Sequence, residues 1–271
     1  MTSLLCLLVF ATTQLILVSA QECRNNLSPG YKTPVAASGW TFRLVANGLN
    51  HPRSILFDQQ GALLLVDAGS GIKHLKLIDD GGTCLSVAEE RIIIGSPELN
   101  HGIALSANGK ILYVSTADKV YAWSYDATAG TVGDFNTTII ANMSNSDHTT
   151  RTLTLSNKMP NILLVSRGSA ANIDEDAARQ SNGYSQLRAF DIGSLEENSQ
   201  PFNFATQGTR LGWGLRNSVG VAEEPITGGI WTVENSADQL RRNGIDIHQD
   251  NPAEELNFHS YLNDSTKNQG G

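Results

Sequence analysis

Short apolar segments alternate with turn residues along most of the chain, and four stretches repeat one strand-turn-strand pattern. In each, polar residues precede an apolar strand, a Gly, Asn or Pro turn follows, and a second strand ends in small polar residues; the stretches are 51–70, 101–118, 148–169 and 215–238. Self-similarity of this length indicates a repeat architecture, and its strand content favours a β-propeller over a helical solenoid. The predicted fold class is therefore all-β.

A third alternating strand follows each pair, which gives units of about 50 residues, close to the size of a four-stranded blade. Strands are predicted early in the chain at 41–46, 54–57, 62–66, 72–78 and 91–94, whereas helical periodicity is confined to 174–180 and 195–198. An insertion at 169–184 is expected to form a loop over one face. About four blades are present where roughly six are expected, so 39–271 is predicted to be a C-terminally incomplete propeller domain.

Residues 1–20 have the character of a secretory signal peptide. They carry no charged side chain, contain apolar runs at 4–10 and 15–18, and end in Val-Ser-Ala. A membrane anchor is the alternative, but polar residues at 12–14 interrupt a stretch that would need about 20 apolar residues to cross a bilayer. Residues 21–38, rich in Asn, Pro, Gly and Ser, are assigned to an N-terminal extension.

Two further features agree with secretion to an extracellular compartment. Without Cys6 of the signal, Cys23 and Cys84 form an even pair that could join the extension to the first blade; two unpaired buried thiols are the alternative. Glycosylation sequons of the Asn-x-Ser/Thr type need an exposed site in a secreted protein. They begin at Asn26, Asn136, Asn142 and Asn263.

The formal net charge of −8 bears on the class of partner. An acidic chain without a basic cluster lacks the grouped Lys and Arg side chains that phosphate contacts require, so no nucleic acid partner is expected. After the signal, no apolar run is long enough to span a membrane.

The polar residues that open the repeats are the first candidates for a functional site. In a propeller, the innermost strand of each blade runs along the central channel, so equivalent positions converge on one axis. Residues far apart in sequence would therefore face a common pocket. The predicted ring consists of His51, Arg53, His101, His148, Arg216 and Asn217.

Several segments carry a family resemblance: Gly-Trp-Gly-Leu-Arg-Asn-Ser-Val-Gly at 212–220, Trp-Thr-Val-Glu-Asn-Ser-Ala-Asp at 231–238 and Glu-Glu-Leu-Asn-Phe at 254–258. Together with Asp-His-Thr-Thr-Arg-Thr-Leu at 147–153, they resemble the soluble glucose and sorbosone dehydrogenase superfamily, which uses pyrroloquinoline quinone (PQQ). The Glu-Asn-Ser-Ala-Asp loop and the signal look most similar to fungal secreted pyranose dehydrogenases. The resemblance implies a six-bladed propeller.

The resemblance also implies roles for the ring residues. His148 would be the general base that takes the proton of the sugar's anomeric hydroxyl while hydride moves to the quinone. An imidazole is mostly neutral at neutral pH and can accept this proton, although a surface histidine in a polar loop is the alternative. Arg216 and Asn217 would contact the quinone oxygens, with a structural ion pair as the alternative for Arg216. Arg53 and His101 are weaker cofactor-binding candidates.

Calcium is implied as a second cofactor, because PQQ is a tricarboxylate whose carbonyl needs a Lewis acid, and this hard cation takes carbonyl and carboxylate oxygens. The predicted ligands are the Ser236 carbonyl and the Asp238 carboxylate, in a loop that replaces a bacterial Gly-Pro pair. Glu254 and Glu255 are interpreted as an ordinary solvated blade edge.

The function predicted from these residues is that of an extracellular PQQ- and calcium-dependent dehydrogenase acting on pyranoses or related aldoses. Electrons would pass to an external quinone, dye or haem protein. Because the family continues into two further blades with additional cationic cofactor contacts, the chain alone is expected to be inactive. The alternatives are a calcium-dependent lactonase-type hydrolase with six blades and a non-catalytic secreted propeller that binds a protein or a glycan.

Overall fold

The computed structural model describes Cys23 and residues 25–195, 199–248 and 254–263, and it places them in an all-β architecture. The predicted signal peptide, 1–20, lies outside the described residues. Among the described residues, no helix is long and apolar enough to cross a membrane. The short 3-10 helices are η1 (Glu175–Ala178) and η2 (Ile192–Ser194). The strands are β1 (Pro52–Phe57), β2 (Leu63–Asp67), β3 (Gly71–Asp79), β4 (Leu85–Ile94), β5 (Ile103–Leu105), β6 (Ile111–Ser115), β7 (Val120–Asp126), β8 (Thr131–Ala141), β9 (Leu153–Leu155), β10 (Ile162–Arg167), β11 (Gln186–Asp191), β12 (Phe202–Asn203), β13 (Thr209–Trp213), β14 (Ser218–Glu223), β15 (Gly229–Glu234), β16 (Arg241–Arg242), β17 (Ile245–Asp246) and β18 (Glu255–Tyr261).

Four of the sheets in the described part of the chain are propeller blades. Their strand orders are β1-β2-β3-β4, β5-β6-β7-β8, β9-β10-β11-β13 and β14-β15-β18 for blades 1 to 4. β12 extends blade 2 as a parallel partner of β8, and β16 and β17 form a separate hairpin. The first strands of consecutive blades contact one another in chain order, as inner strands around an axis must. The propeller prediction is confirmed, and each sequence repeat corresponds to the first two strands of one blade.

The second strands of blades 1 to 3 lie in the densest part of the core, whereas β15 of blade 4 alternates, with Trp231 and Val233 exposed. Nearly every residue of Leu63–Asp67 and of Ile162–Arg167 is buried, which explains why these strands are continuous apolar runs in the sequence. Apolar clusters fill the spaces between consecutive blades. They include Leu64, Val66 and Leu112 between blades 1 and 2, Val120, Leu163 and Phe190 between blades 2 and 3, and Leu164, Leu211 and Ile230 between blades 3 and 4.

A polar residue at or next to the end of each second strand anchors the start of the neighbouring inner strand. Its side chain accepts a hydrogen bond from a main-chain N–H that would otherwise lack a partner. The small polar residues of the sequence repeat therefore fix where each inner strand begins. The donors and acceptors are His51 N to Asp67 Oδ1 (2.8 Å), Gly102 N to Ser115 Oγ (2.9 Å), Thr152 N to Ser166 Oγ (3.0 Å) and Arg216 N to Glu234 Oε2 (3.0 Å).

Two predicted elements differ in the structure. No strand forms at 41–46, because the Asn25 side-chain amide donates to both Leu44 O and Leu85 O at 2.7 Å and so stands between this segment and β4. The helix predicted at 174–180 is only the single turn η1, which Asp174 caps by accepting from a main-chain N–H. Of the helix predicted at 195–198, residues 196–198 lie outside the described residues.

Cys23 and Cys84 are joined by a disulfide with an S–S distance of 2.04 Å. This confirms the predicted pair against the alternative of two free thiols. Because Cys84 directly precedes β4, the bond fastens the N-terminal extension to the outer strand of blade 1.

Candidate active site

The predicted ring residues lie around the starts of the inner strands, but they do not all occupy equivalent positions. In each blade, the first residue of the inner segment that pairs with the second strand is Pro52, Gly102, Thr152 or Ser218. The residues immediately before these four are His51, His101, Arg151 and Asn217. His148 lies three residues before Arg151, within a loop that reaches the same end of the blades. The structure therefore corrects the predicted equivalence, because Arg151 stands where the ring was expected to place His148.

His148 is half-buried, and one edge of its ring is held by Ser169. Nδ1 lies 2.9 Å from Ser169 Oγ and 3.3 Å from the Ser169 carbonyl oxygen. The main-chain N–H of His148 donates to the same carbonyl at 3.3 Å. Nε2 forms no hydrogen bond with any residue that the structure describes. The ring is thus fixed through one nitrogen, and the other is left for a ligand.

Arg151, which sequence reasoning missed, holds the loop that carries His148. Its side chain is fully buried. Burial and, after it, the Arg167 charge lower the pKa of Arg151 to about 9, so the guanidinium is still charged at neutral pH. All five of its N–H groups donate, which shapes the loop through charge-assisted bonds. The acceptors are Ala117 O (3.0 Å), His148 O (2.7 Å), Thr150 O (2.6 Å), Met143 O (2.6 Å) and Asn145 Oδ1 (2.6 Å).

Arg216 and Asn217 are fixed by the loops that follow β10 and β15. Arg216 Nε and Nη2 donate to the Asn172 carbonyl and side-chain oxygens at 2.9 and 2.6 Å, and Nη1 donates to Asn235 O at 3.3 Å. Asn217 Nδ2 donates to Asn235 Oδ1 at 3.0 Å. The Arg216 side chain is 16% exposed, so it presents a small and firmly held part of its guanidinium to a ligand.

Gly168 allows these groups to meet. A Cβ at this position would lie 2.5 Å from the His148 Cβ and 2.9 Å from Asn217 Oδ1, which is too close for either neighbour. The next residue, Ser169, donates its N–H to Arg216 O at 2.8 Å. The loop predicted at 169–184 therefore begins inside the site, with His148 on one side and Arg216 and Asn217 on the other.

His101 and Arg53 form a second group: Arg53 lies on the inner strand β1, and His101 lies two residues before the inner strand β5. His101 Nε2 lies 3.2 Å from Thr152 Oγ1, and its buried Nδ1 has no hydrogen-bond partner among the described residues. Burial and, after it, the Arg53 charge lower the pKa of His101, so this ring is neutral at neutral pH. Arg53 itself is exposed, as is His51.

The predicted calcium ligands lie in the loop after β15. The Asp238 carboxylate is 3.4 Å from Arg216 Nη2. The Asp238 N–H donates to Asn172 Oδ1, and the Asp238 carbonyl accepts from Asn172 Nδ2. No three His, Cys, Asp or Glu side chains gather as a metal site within the described ranges. Calcium takes six to eight oxygen ligands, so Ser236 and Asp238 alone do not make a calcium site. Glu254 and Glu255 are exposed, as predicted for a blade edge.

The groups brought together by the segment 168–172 are an imidazole with a free nitrogen, a guanidinium and a carboxamide. The guanidinium favours an anionic ligand, and the carboxamide can add neutral hydrogen bonds. This donor set suits a planar anion with several carboxylates, such as PQQ, beside an imidazole with one nitrogen free of hydrogen bonds to the described residues.

Comparison with known proteins agrees with this chemistry. Residues 34–271 match the family described as TrAA12-like. The chain is 54% identical over 255 residues to a pyrroloquinoline quinone-dependent sugar dehydrogenase of Hypocrea jecorina (strain QM6a), a match that covers 93% of the chain and 59% of the relative. The chain thus spans about three fifths of the length of this relative.

Two solved structures are similar over most of the chain. The calcium structure of Trichoderma reesei Carbohydrate-Active Enzymes Family AA12 superposes with a TM-score of 0.86 at 54% identity, over 92% of this chain and 61% of that one. The holo form of the pyranose dehydrogenase PQQ domain from Coprinopsis cinerea gives a TM-score of 0.73 at 34% identity, over 83% and 54%. The resemblance to PQQ-dependent sugar dehydrogenases is confirmed, and the chain belongs to the TrAA12-like family.

Proposed function

We propose that this chain carries the base and the quinone contacts of an extracellular PQQ-dependent dehydrogenase that oxidises pyranoses or related aldoses. The observation that carries the proposal is the unpartnered Nε2 of His148, held beside Arg216 and Asn217 by one loop. Relatives named as dehydrogenases favour it over a lactonase or a non-catalytic binding propeller.

His148 takes the proton of the anomeric hydroxyl on Nε2. When bound, PQQ supplies the acceptor for the hydride that leaves the anomeric carbon, so the sugar loses two electrons and is released as a lactone. The two electrons then pass to an external quinone, dye or haem protein. A neutral imidazole within reach of the hydroxyl contributes about 10²- to 10⁴-fold to such a step.

Arg216 and Asn217 bind and orient the cofactor's oxygens. The Asn172 and Asn235 contacts hold both side chains before a ligand arrives, which reduces the reorganisation needed as negative charge develops. Arg53 and His101 add a positive charge and a neutral ring at the neighbouring inner strands. Calcium remains a prediction with Ser236 and Asp238 as partial ligands, and no step depends on it.

An extracellular location is supported by two features of the described residues. The disulfide between Cys23 and Cys84 requires an oxidising compartment to persist. The four sequon asparagines, Asn26, Asn136, Asn142 and Asn263, are all exposed and therefore accessible to glycosylation.

The test uses a fusion of residues 21–271 to the part of the Hypocrea jecorina relative that lies outside the matched region. With PQQ, calcium, a redox dye and glucose, fucose or sorbosone, the fusion should reduce the dye. His148→Ala should lower this rate by at least about 10²-fold while PQQ still quenches tryptophan fluorescence with unchanged affinity. No dye reduction by the fusion would contradict the proposed activity, and loss of PQQ binding by the variant would contradict the role of His148.

A further inference from the structure

We infer that Ser169 is a positioning residue that holds His148 with its proton on Nδ1 and so leaves Nε2 as the proton acceptor. The catalytic meaning of this inference rests on the proposed function, but the tautomer is a property of the chain itself. The argument depends on where two hydrogen atoms must lie.

Both neighbours of His148 Nδ1 belong to Ser169. The carbonyl oxygen, 3.3 Å away, can only accept a hydrogen bond. The hydroxyl oxygen, 2.9 Å away, has one hydrogen, and it donates that hydrogen to Ala171 O at 2.8 Å. Two acceptors therefore face Nδ1, and a protonated Nδ1 satisfies them.

The opposite tautomer would bring two acceptors face to face. If Nδ1 were unprotonated, its lone pair would face the lone pairs of the Ser169 carbonyl. The hydroxyl would have to turn from Ala171 O to Nδ1, and that carbonyl would lose its donor. Ala171 is exposed, so its carbonyl could turn to water, whereas the contact between the two acceptors lies against buried Ser169 and has no such relief. The structure therefore favours the Nδ1–H form.

Ser169 is well placed to impose this choice because it cannot move independently of the site. It is 1% exposed, its N–H donates to Arg216 O, and its carbonyl accepts from the His148 N–H and from Asn145 Nδ2 at 2.9 Å. In water, by contrast, the neutral imidazole of histidine favours the proton on Nε2. Ser169 thus reverses the intrinsic preference and prevents a donor from occupying the position where a base is needed.

The experiment is a ¹⁵N NMR measurement of the imidazole tautomers in the chain alone, at a pH where His148 is neutral, with His148→Ala used to assign the signals. Wild type should show a protonated Nδ1 and an unprotonated Nε2. Ser169→Ala should lower the Nδ1–H to Nε2–H ratio by about tenfold, a limit set by the carbonyl that remains. Ser146→Ala is the matched control: Ser146 Oγ donates to Ala170 O at 2.7 Å, between the same two loops, so its loss should leave the ratio unchanged.

A wild-type ring with its proton on Nε2 would overturn the inference, as would an unchanged ratio in a folded Ser169→Ala variant. If Ser169→Ala does not fold, the wild-type measurement still decides, and Ser169→Thr, which keeps the hydroxyl, should keep the wild-type ratio. In the fusion enzyme, Ser169→Ala should lower kcat by about tenfold with little change in KM. An Nδ1–H ring in a fusion that oxidises no sugar would refute the proposed function and leave the tautomer assignment standing.

Discussion

Replacing Arg151 by methionine tests the claim that this side chain shapes the His148 loop. The change keeps the length of the side chain but removes five donors, four of which serve main-chain carbonyls. His148 O keeps a hydrogen bond from Asn145 Nδ2, so four acceptors lose their partner. At about 1–3 kcal/mol for each acceptor, the gross loss is about 4–12 kcal/mol. Removing the buried charge returns several kcal/mol of desolvation free energy, so the net loss of unfolding free energy should be about 3–5 kcal/mol.

The measurement is unfolding of the disulfide-intact chain in guanidinium chloride, followed by tryptophan fluorescence. Arg151→Lys should lose less than Arg151→Met, because a lysine can donate three hydrogen bonds from one nitrogen. Arg179→Met is the matched control: the Arg179 side chain is 73% exposed, so its loss should change the unfolding free energy by less than about 0.5 kcal/mol. An Arg151→Met protein within about 1 kcal/mol of wild type would show that the guanidinium contacts do not hold the loop.

Two further predictions concern stability. Burial is the main cause that lowers the pKa values of His74, His101 and His259. Below about pH 6.5, these rings are therefore protonated in the unfolded chain while they are still neutral in the folded chain. Unfolding free energy should therefore fall as pH falls from about 6.5 to 5, by up to about 1.4 kcal/mol per pH unit for each ring. His259→Gln should have a shallower slope than exposed His51→Gln, and equal slopes would contradict this. Reduction of the disulfide, whose cysteines are 61 residues apart, should lower the unfolding free energy by about 4 kcal/mol, measured in matched oxidised and reduced samples, and an unchanged midpoint would refute it.

The sequence predicted blades 1 to 3 well because their second strands are almost fully buried and therefore appear as apolar runs. In blade 4, β15 alternates between buried and exposed residues. The prediction failed at 41–46, where the alternating pattern is present but the Asn25 amide occupies the carbonyls that a neighbouring strand would use. These hydrogen bonds join residues that are 19 and 60 positions apart in the sequence, so they leave no local pattern. The predicted Cys23–Cys84 pair succeeded because cysteine chemistry restricts the possible partners.

The site could be predicted only in part for a related reason. His148, Arg216 and Asn217 belong to motifs, so the resemblance identified them. Arg151 and Ser169 act on main-chain oxygens and on a ring nitrogen brought together by folding, and neither has a charged partner in a motif. The available signals for Arg151 were its place inside the segment 147–153 that carries the resemblance and its register in the repeat, one residue before Thr152, whose N–H is anchored by Ser166.

The hydrogen bonds from Arg151 to the loop that carries His148 affect which positions of that loop can change in sequence. Because the guanidinium binds the carbonyls of residues 143, 148 and 150, the shape of the loop does not depend on which side chains those positions carry. Neighbouring positions such as 147, 149 and 150 can then change during evolution while the imidazole stays in place. Under the proposed function, a lineage could acquire new sugar preferences through this loop by single substitutions, without first rebuilding the contacts that hold the proposed base.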